Sequence, residues 1–375
     1  MQIGLKDAEK IRIGDQKDYR RKMKLLILIT VAVLLVSLCV RHIGVGFVSP
    51  VETFVNLKTW IHLNLGKAFN WPIYLERFSL LRDMDTYPES VGRLKITVIT
   101  FLCGMLLALS GMLFQSVFRN PIAAPTMLGV STGVQLGILI LINNYGAMAL
   151  SMPLEKYEYC YIGAVCMLAL VMFAGKLSSG KKKFSVFDLL LVSAVLSQIV
   201  GAAISYYTVS MENEELLLYQ QISKAMSVNI EPVSFLALLL ALVISLVPVY
   251  LMRFSFNAIS FDNEESSCMG ISVGRLKIIA LLLGTLMITA AMVHCGSVGM
   301  VSLIVPFISR GIFGAEFRRT FWGNLLIGGT LLVLCRDVAS MVKFGGDGLP
   351  VGTVVEFVTL PIFVLILFSQ RRTWE

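Results

Sequence analysis

Residues 102–136 constrain this chain most, because they read as two membrane-length apolar arms meeting at a short polar elbow that carries Pro121 and Pro125. No helix continues through that elbow: each proline lacks a backbone donor and pushes the residue before it out of the α region. The first arm presents Cys103, Gly104, Ala108, Ser110 and Gly111. Such small residues let a second helix approach closely where lipid supplies no hydrophobic reason to associate. Gln115 interrupts the end of this arm, and the second arm restarts with Gly129, Ser131, Thr132, Gly133 and Gly137.

The remainder agrees with a bilayer setting. Of 375 residues, 56% are hydrophobic and 15% charged, and the mean hydropathy is +0.78, too apolar and too charge-poor for a water-soluble domain of this length. Apolar stretches of about 20 residues recur, the length a helix needs to cross about 30 Å of hydrocarbon, whereas barrel strands are shorter and alternate. The expected fold is an all-α polytopic membrane protein. The net charge of +8 lies mainly in short loops between apolar stretches. It therefore reads as membrane topology and not as a nucleic-acid footprint.

The chain divides into a cytoplasmic tail, residues 1–23, and a transmembrane domain, residues 24–375. Spans are expected near 24–40, 93–117, 125–142, 159–174, 186–209, 232–251, 276–294, 296–312, 321–341 and 354–368. About ten spans with both termini cytoplasmic place Lys17, Arg20, Arg21, Lys22, Arg119, Lys181, Lys182, Lys183, Arg318, Arg319, Arg371 and Arg372 on the inner side. Residues 41–92 then form a long external loop, with Trp60, Trp71 and Tyr74 suited to the interface, and Glu212, Glu214 and Glu215 mark another. Gly299 and Pro306 point to a bent or interrupted eighth span. The basic segment before the first span carries no small-residue cleavage site after it, so that span is expected to persist as a helix.

Catalytic chemistry of its own is not expected. The seven cysteines show no metal-type pairing and read as small buried hydrophobes, and His42, His62 and His294 are scattered. No glycine-rich phosphate loop accompanies the lysine cluster, so this chain is not expected to hydrolyse ATP or to carry a cofactor. Carboxylates deep in the spans are nearly absent, which disfavours a proton-coupled secondary transporter. Asp337 is the exception beside Arg336, and a packing or helix-end role is expected for it.

Three motifs carry a resemblance. Ser110-Gly111-x-x-x-Gln115, Arg119-Asn120-Pro121-Ile122-Ala123-x-Pro125 and Leu128-Gly129-Val130-Ser131-x-Gly133 resemble the permeases of ATP-driven, binding-protein-dependent importers for iron-siderophore complexes, haem and cobalamin. The likeness extends through the run from His294 to Pro306, through Asp337, and through Leu349-Pro350-Val351-Gly352. Phe307 departs from the family's histidine after the proline, and Lys95-Ile96 replace a Pro-Arg pair, leaving Arg93 and Leu94 of that motif.

The resemblance implies a type II importer permease. It implies a second permease subunit, alike or related, two cytoplasmic ATPase subunits that bind ATP and magnesium, an external substrate-binding protein and a lipid bilayer as partners, with an iron-siderophore complex as cargo. Within the cytoplasmic loop 253–275, Phe261, Asp262, Glu264, Ser266, Met269 and Gly270 match the family's coupling helix, where ATPase motion enters the membrane. Acidic residues suit a helix start and Gly270 its end. Arg93 matches an arginine that docks the binding protein; two further family arginines fall on Ile96 and Met341, leaving Arg77, Arg82 and Lys343 as substitutes. Arg93 reads equally as an interface anchor. Ser131, Thr132, Ser197 and Gln198 are the candidates for the translocation path, with interhelical hydrogen bonding as the alternative. Haem or cobalamin is the alternative cargo, and an ATPase-independent transporter or a membrane-embedded enzyme the alternative class.

Overall fold

Residues 5–40, 49–68, 86–151, 153–179, 186–223, 232–259, 263–344 and 347–371 are described by a computed structural model of the chain. In chain order the helices are α1 (Leu5–Cys39), α2 (Pro50–Ala68), α3 (Thr86–Phe118), α4 (Val130–Tyr145), α5 (Pro153–Ser179), α6 (Val186–Val209) and α7 (Asn213–Ser223). They continue with α8 (Pro232–Leu251), α9 (Arg253–Ala258), α10 (Asn263–Cys268), α11 (Val273–Cys295), α12 (Met300–Phe313), α13 (Phe317–Met341) and α14 (Val351–Arg371).

Six of these, α1, α3, α5, α6, α11 and α13, are long and apolar enough to cross a membrane. Three shorter apolar helices, α8, α12 and α14, and the 16-residue α4 fall on the other expected spans. A two-residue antiparallel pair, Lys343↔Gly348 and Phe344↔Asp347, precedes α14.

Helix α3 is the axis of the bundle. Its Leu106, Leu107, Leu109, Leu113 and Phe114 are fully buried, and α11, α12 and α13 pack along it. Small residues set how closely they approach. A Cβ on Gly111 would run into the Ser302 carbonyl of α12, and one on Gly104 into the Gly328 carbonyl of α13. The α4–α5 pair crosses in the same manner at Gly133 and Gly163. Without a hydrophobic drive between helices in lipid, such close packing and interhelical hydrogen bonds hold the bundle. Thr30 of α1 and Thr330 of α13 share one such bond at 3.0 Å, and Gln115 Nε2 of α3 donates to the Leu303 carbonyl of α12 at 2.9 Å.

The structure adds detail to several expectations. The N-terminal tail is continuous with the first span in one helix from Leu5, because nothing between Lys6 and Lys24 breaks it. The stretch 41–92 contains α2, which buries Thr53, Asn56 and Thr59 while exposing Val51, Phe54 and Ile61. Asn56 Nδ2 donates to Ser90 Oγ of α3 at 3.1 Å. Residues 41–48 and 69–85, including Trp71, Tyr74, Arg77 and Arg82, lie outside the described residues, as do Lys181, Lys182 and Lys183. The eighth span is interrupted at its start: Gly296, with φ 71°, ends α11, a non-helical stretch follows, and α12 then continues through Pro306. The acidic loop after the fifth span forms α7, which packs on α4.

Candidate functional site

Helix α10 lies in the loop between α8 and α11, where the coupling helix is expected. It closes as the sequence suggests: Gly270 adopts φ 79°, Gly270 N–H donates to the Ser267 carbonyl at 3.0 Å, and Ile271 N–H donates to the Ser266 carbonyl at 3.2 Å. This Schellman arrangement satisfies carbonyls that a helix end leaves open, and it needs a left-handed residue that glycine adopts without a Cβ clash. Glu265, Cys268 and Met269 are exposed, Met269 at 58%. Ser266 is turned inward at 0% exposure and donates to the Ala258 carbonyl at 2.8 Å. Glu264 falls within α10, while Phe261 and Asp262 lie outside the described residues.

The elbow after α3 folds beside that loop. The Arg119 N–H donates to the Ser116 carbonyl at 3.3 Å and the Asn120 N–H to the Gln115 carbonyl at 3.2 Å, the same capping pattern, but the left-handed residue here is Arg119 with φ 50°. A side chain in that conformation costs about 1–2 kcal/mol. Asn120 Oδ1 accepts from the Ile122 N–H at 3.0 Å, and Pro125–Leu128 form a 3₁₀ turn ending at Gly129 with φ 73°. Arg119 Nε donates to the Ile259 carbonyl at 2.7 Å.

The end of α9 therefore holds three neighbours. Asn257 Oδ1 accepts the Phe317 N–H at 2.6 Å, capping α13 where Glu316 supplies no side-chain cap. Ala258 holds Ser266 of α10, and Ile259 holds Arg119 after α3. Phe256 stacks on Phe317 with centroids 5.1 Å apart. Sequence reasoning misses Asn257 altogether. Its only local signal is one amide among the apolar neighbours of Phe256 and Ala258 near a helix end.

Arg93 is placed differently from an exposed docking residue. Its side chain is 1% exposed, its Nε donates to the Val40 carbonyl, and its Nη1 stands 4.0 Å from Asp337 Oδ1. Burial inside this chain leaves it unsuited to meet an external protein directly. Asp337 also accepts from Ser37 Oγ at 3.0 Å, and Ser37 shares a 3.1 Å hydrogen bond with Thr97. Arg336 does not turn to its neighbour; its Nη1 donates to Thr100 Oγ1 at 3.3 Å. Of the substitutes, Arg77 and Arg82 are outside the described residues.

The path candidates come from neighbouring elements. Ser131 and Thr132 are half-buried in the first turn of α4, and Ser197 on α6 packs beside Gly129, where a Cβ would meet its Oγ at 2.6 Å. Gln198 is exposed. Much of α6 is bare apolar surface, including Leu191, Val195 and Ile199.

A sequence model described as the FecCD transport family matches residues 65–369. The chain belongs to that family. It is a multi-pass membrane protein of the ABC-importer permease type. A probable iron chelatin transport system permease protein of Helicobacter pylori is 26% identical over 283 residues, covering 74% of this chain and 82% of that protein. A hemin transport system permease protein of Yersinia pestis is 27% identical over 286 residues, covering 75% and 83%. A molybdate import system permease protein of Haemophilus influenzae is 24% identical over 283 residues, covering 73% and 79%. Among solved structures, a chain of an inward-facing metal-chelate type ABC transporter shares the fold with TM-score 0.71 at 20% identity, covering 93% of this chain and 99% of that one. Each of these relatives is named as a permease protein.

Proposed function

We propose that this chain is the membrane subunit of an importer for iron chelates, driven by two cytoplasmic ATPase subunits through α10 and supplied by an external binding protein. The observation that carries the ATP-coupled reading is the shape of α10: Ser266 ties it inward, while Glu265, Cys268 and the adjoining Met269 are exposed. A ligand shifts a conformational equilibrium only by binding two states differently, and an exposed helix fastened to the bundle gives an ATPase a means to do so. The acid needed for proton coupling is otherwise engaged, since Asp337 is held by Ser37 and faces Arg93. A second permease copy would cover part of the bare apolar surface of α6.

Iron chelate is favoured as cargo because relatives named for iron transport recur. Haem is the second reading, supported by the hemin permease. Reconstitution in liposomes with the cognate ATPase and binding protein tests both. Uptake of a ferric chelate only with ATP supports the reading, uptake of haem alone moves the cargo, and uptake without ATPase overturns the coupling.

A further inference from the structure

Three consecutive residues at the end of α9 each hold a different element. Asn257 caps α13, Ala258 receives Ser266 of the coupling helix, and Ile259 receives Arg119 at the end of α3. The first and third links run through side chains whose partners lie 60 and 140 residues away. We infer that this turn, residues 257–259, is the junction that divides a movement of α10 between α3 and α13, with Asn257 and Arg119 as its positioning residues.

Two further features support the assignment. Arg119 occupies a left-handed position at which glycine would be unstrained, so its guanidinium serves the Ile259 carbonyl despite a backbone cost. A cleft of about 250 Å³, partly open to the outside and lined by Gln115, Arg119, Phe256, Arg310 and Phe317 among others, borders the junction. Protein interiors are otherwise close-packed and transmit displacement rigidly; open space beside this turn lets it shift against its neighbours. The helices it joins are also the right ones. Helix α3 is the bundle's axis, and α13 is one of the helices packed most closely along it.

The inference rests on the ATP-coupled reading above, and one reconstituted assay separates the two. Full transporter with ATPase and binding protein is placed in liposomes, and ferric-chelate uptake is measured together with ATP hydrolysis. The wild-type arm tests the parent reading; absence of ATP-driven uptake there overturns both.

The variants Asn257→Leu, Asn257→Asp and Arg119→Gly then test the junction. Leucine removes the acceptor that caps α13, aspartate restores it, and glycine suits φ 50° while deleting the guanidinium. Asn257→Leu and Arg119→Gly are expected to lower uptake per ATP hydrolysed by at least about fivefold, the lower end of ordinary coupling effects, with assembly retained. Asn257→Asp is expected to recover it. Equal loss of uptake and hydrolysis, no rescue by aspartate, or a failure of both disruptive variants to accumulate would reduce these residues to scaffolding and overturn the inference. If only Asn257→Leu fails to accumulate, Arg119→Gly decides alone.

Discussion

The guanidinium of Arg93 stands 4.0 Å from the carboxylate of Asp337, and the same carboxylate oxygen accepts the Ser37 hydroxyl, so one acid joins α3, α13 and α1. Removing one member of a buried ion pair costs about 3–5 kcal/mol, chiefly through the charge left behind. Asp337→Ala and Arg93→Met are each expected to destabilise the detergent-solubilised protein by about 3 kcal/mol, the lower end of that range given the long contact. Thermal unfolding of the double variant should show less than the sum of the two. Strict additivity, or a loss confined to binding-protein docking, would return Arg93 to the outer surface.

Gly111 lies against the Ser302 carbonyl, whereas Gly92 on the same helix has open space where a Cβ would stand. Gly111→Ala should therefore force α3 and α12 apart at a cost of about 1–3 kcal/mol. Gly92→Ala should be neutral or stabilising by up to about 1 kcal/mol, as a helical glycine is replaced. Thermal unfolding of the two variants side by side measures the contrast, and equal behaviour would mean that the close crossing is not what orders the helices.

Helix α10 has two faces that substitution can separate. Ser266 points into the protein, so Ser266→Trp overpacks the junction and is expected to lower the yield of folded protein. Met269→Trp, at the exposed turn that closes α10, should leave the unfolding temperature unchanged and weaken the permease–ATPase complex about tenfold, as expected for disturbing an interface by about 1.4 kcal/mol. Co-purification at graded ATPase concentration checks this. If Ser266→Trp were tolerated and Met269→Trp unfolded the protein, the orientation of α10 would be reversed.

Much of this architecture is legible locally because lipid imposes strong rules. Apolar length marks the spans, Pro121 and Pro125 mark the elbow, and Gly270 marks the end of α10 because that position needs φ 79°. The motifs around Arg119 and Gly129 carry the family resemblance. What local pattern does not encode is which way a polar side chain turns. Arg93 sits near a span end in sequence, yet its partners Val40 and Asp337 are 53 and 244 residues away (93 − 40 and 337 − 93). Ser266 lies in α10 and Met269 directly follows it, and the inward turn of Ser266 shows only once its hydroxyl is seen to meet the Ala258 carbonyl of the preceding helix. Helix α2 escapes a hydropathy reading because its polar stripe is the buried one.

The central claim, that an ATPase grips α10, is tested most directly at Cys268, an exposed native thiol on that helix. Cys166 is the other exposed cysteine among the described residues, and Cys166→Ser removes it from the experiment. Labelling of Cys268 by a water-soluble maleimide is measured in the isolated permease and again in the complex with its ATPase subunits. The account predicts at least about a tenfold slowing in the complex, with labelling rates tracking occupancy of the site. Labelling at the same rate in both would leave α10 uncovered and contradict its role as the point where ATP-driven motion enters the membrane.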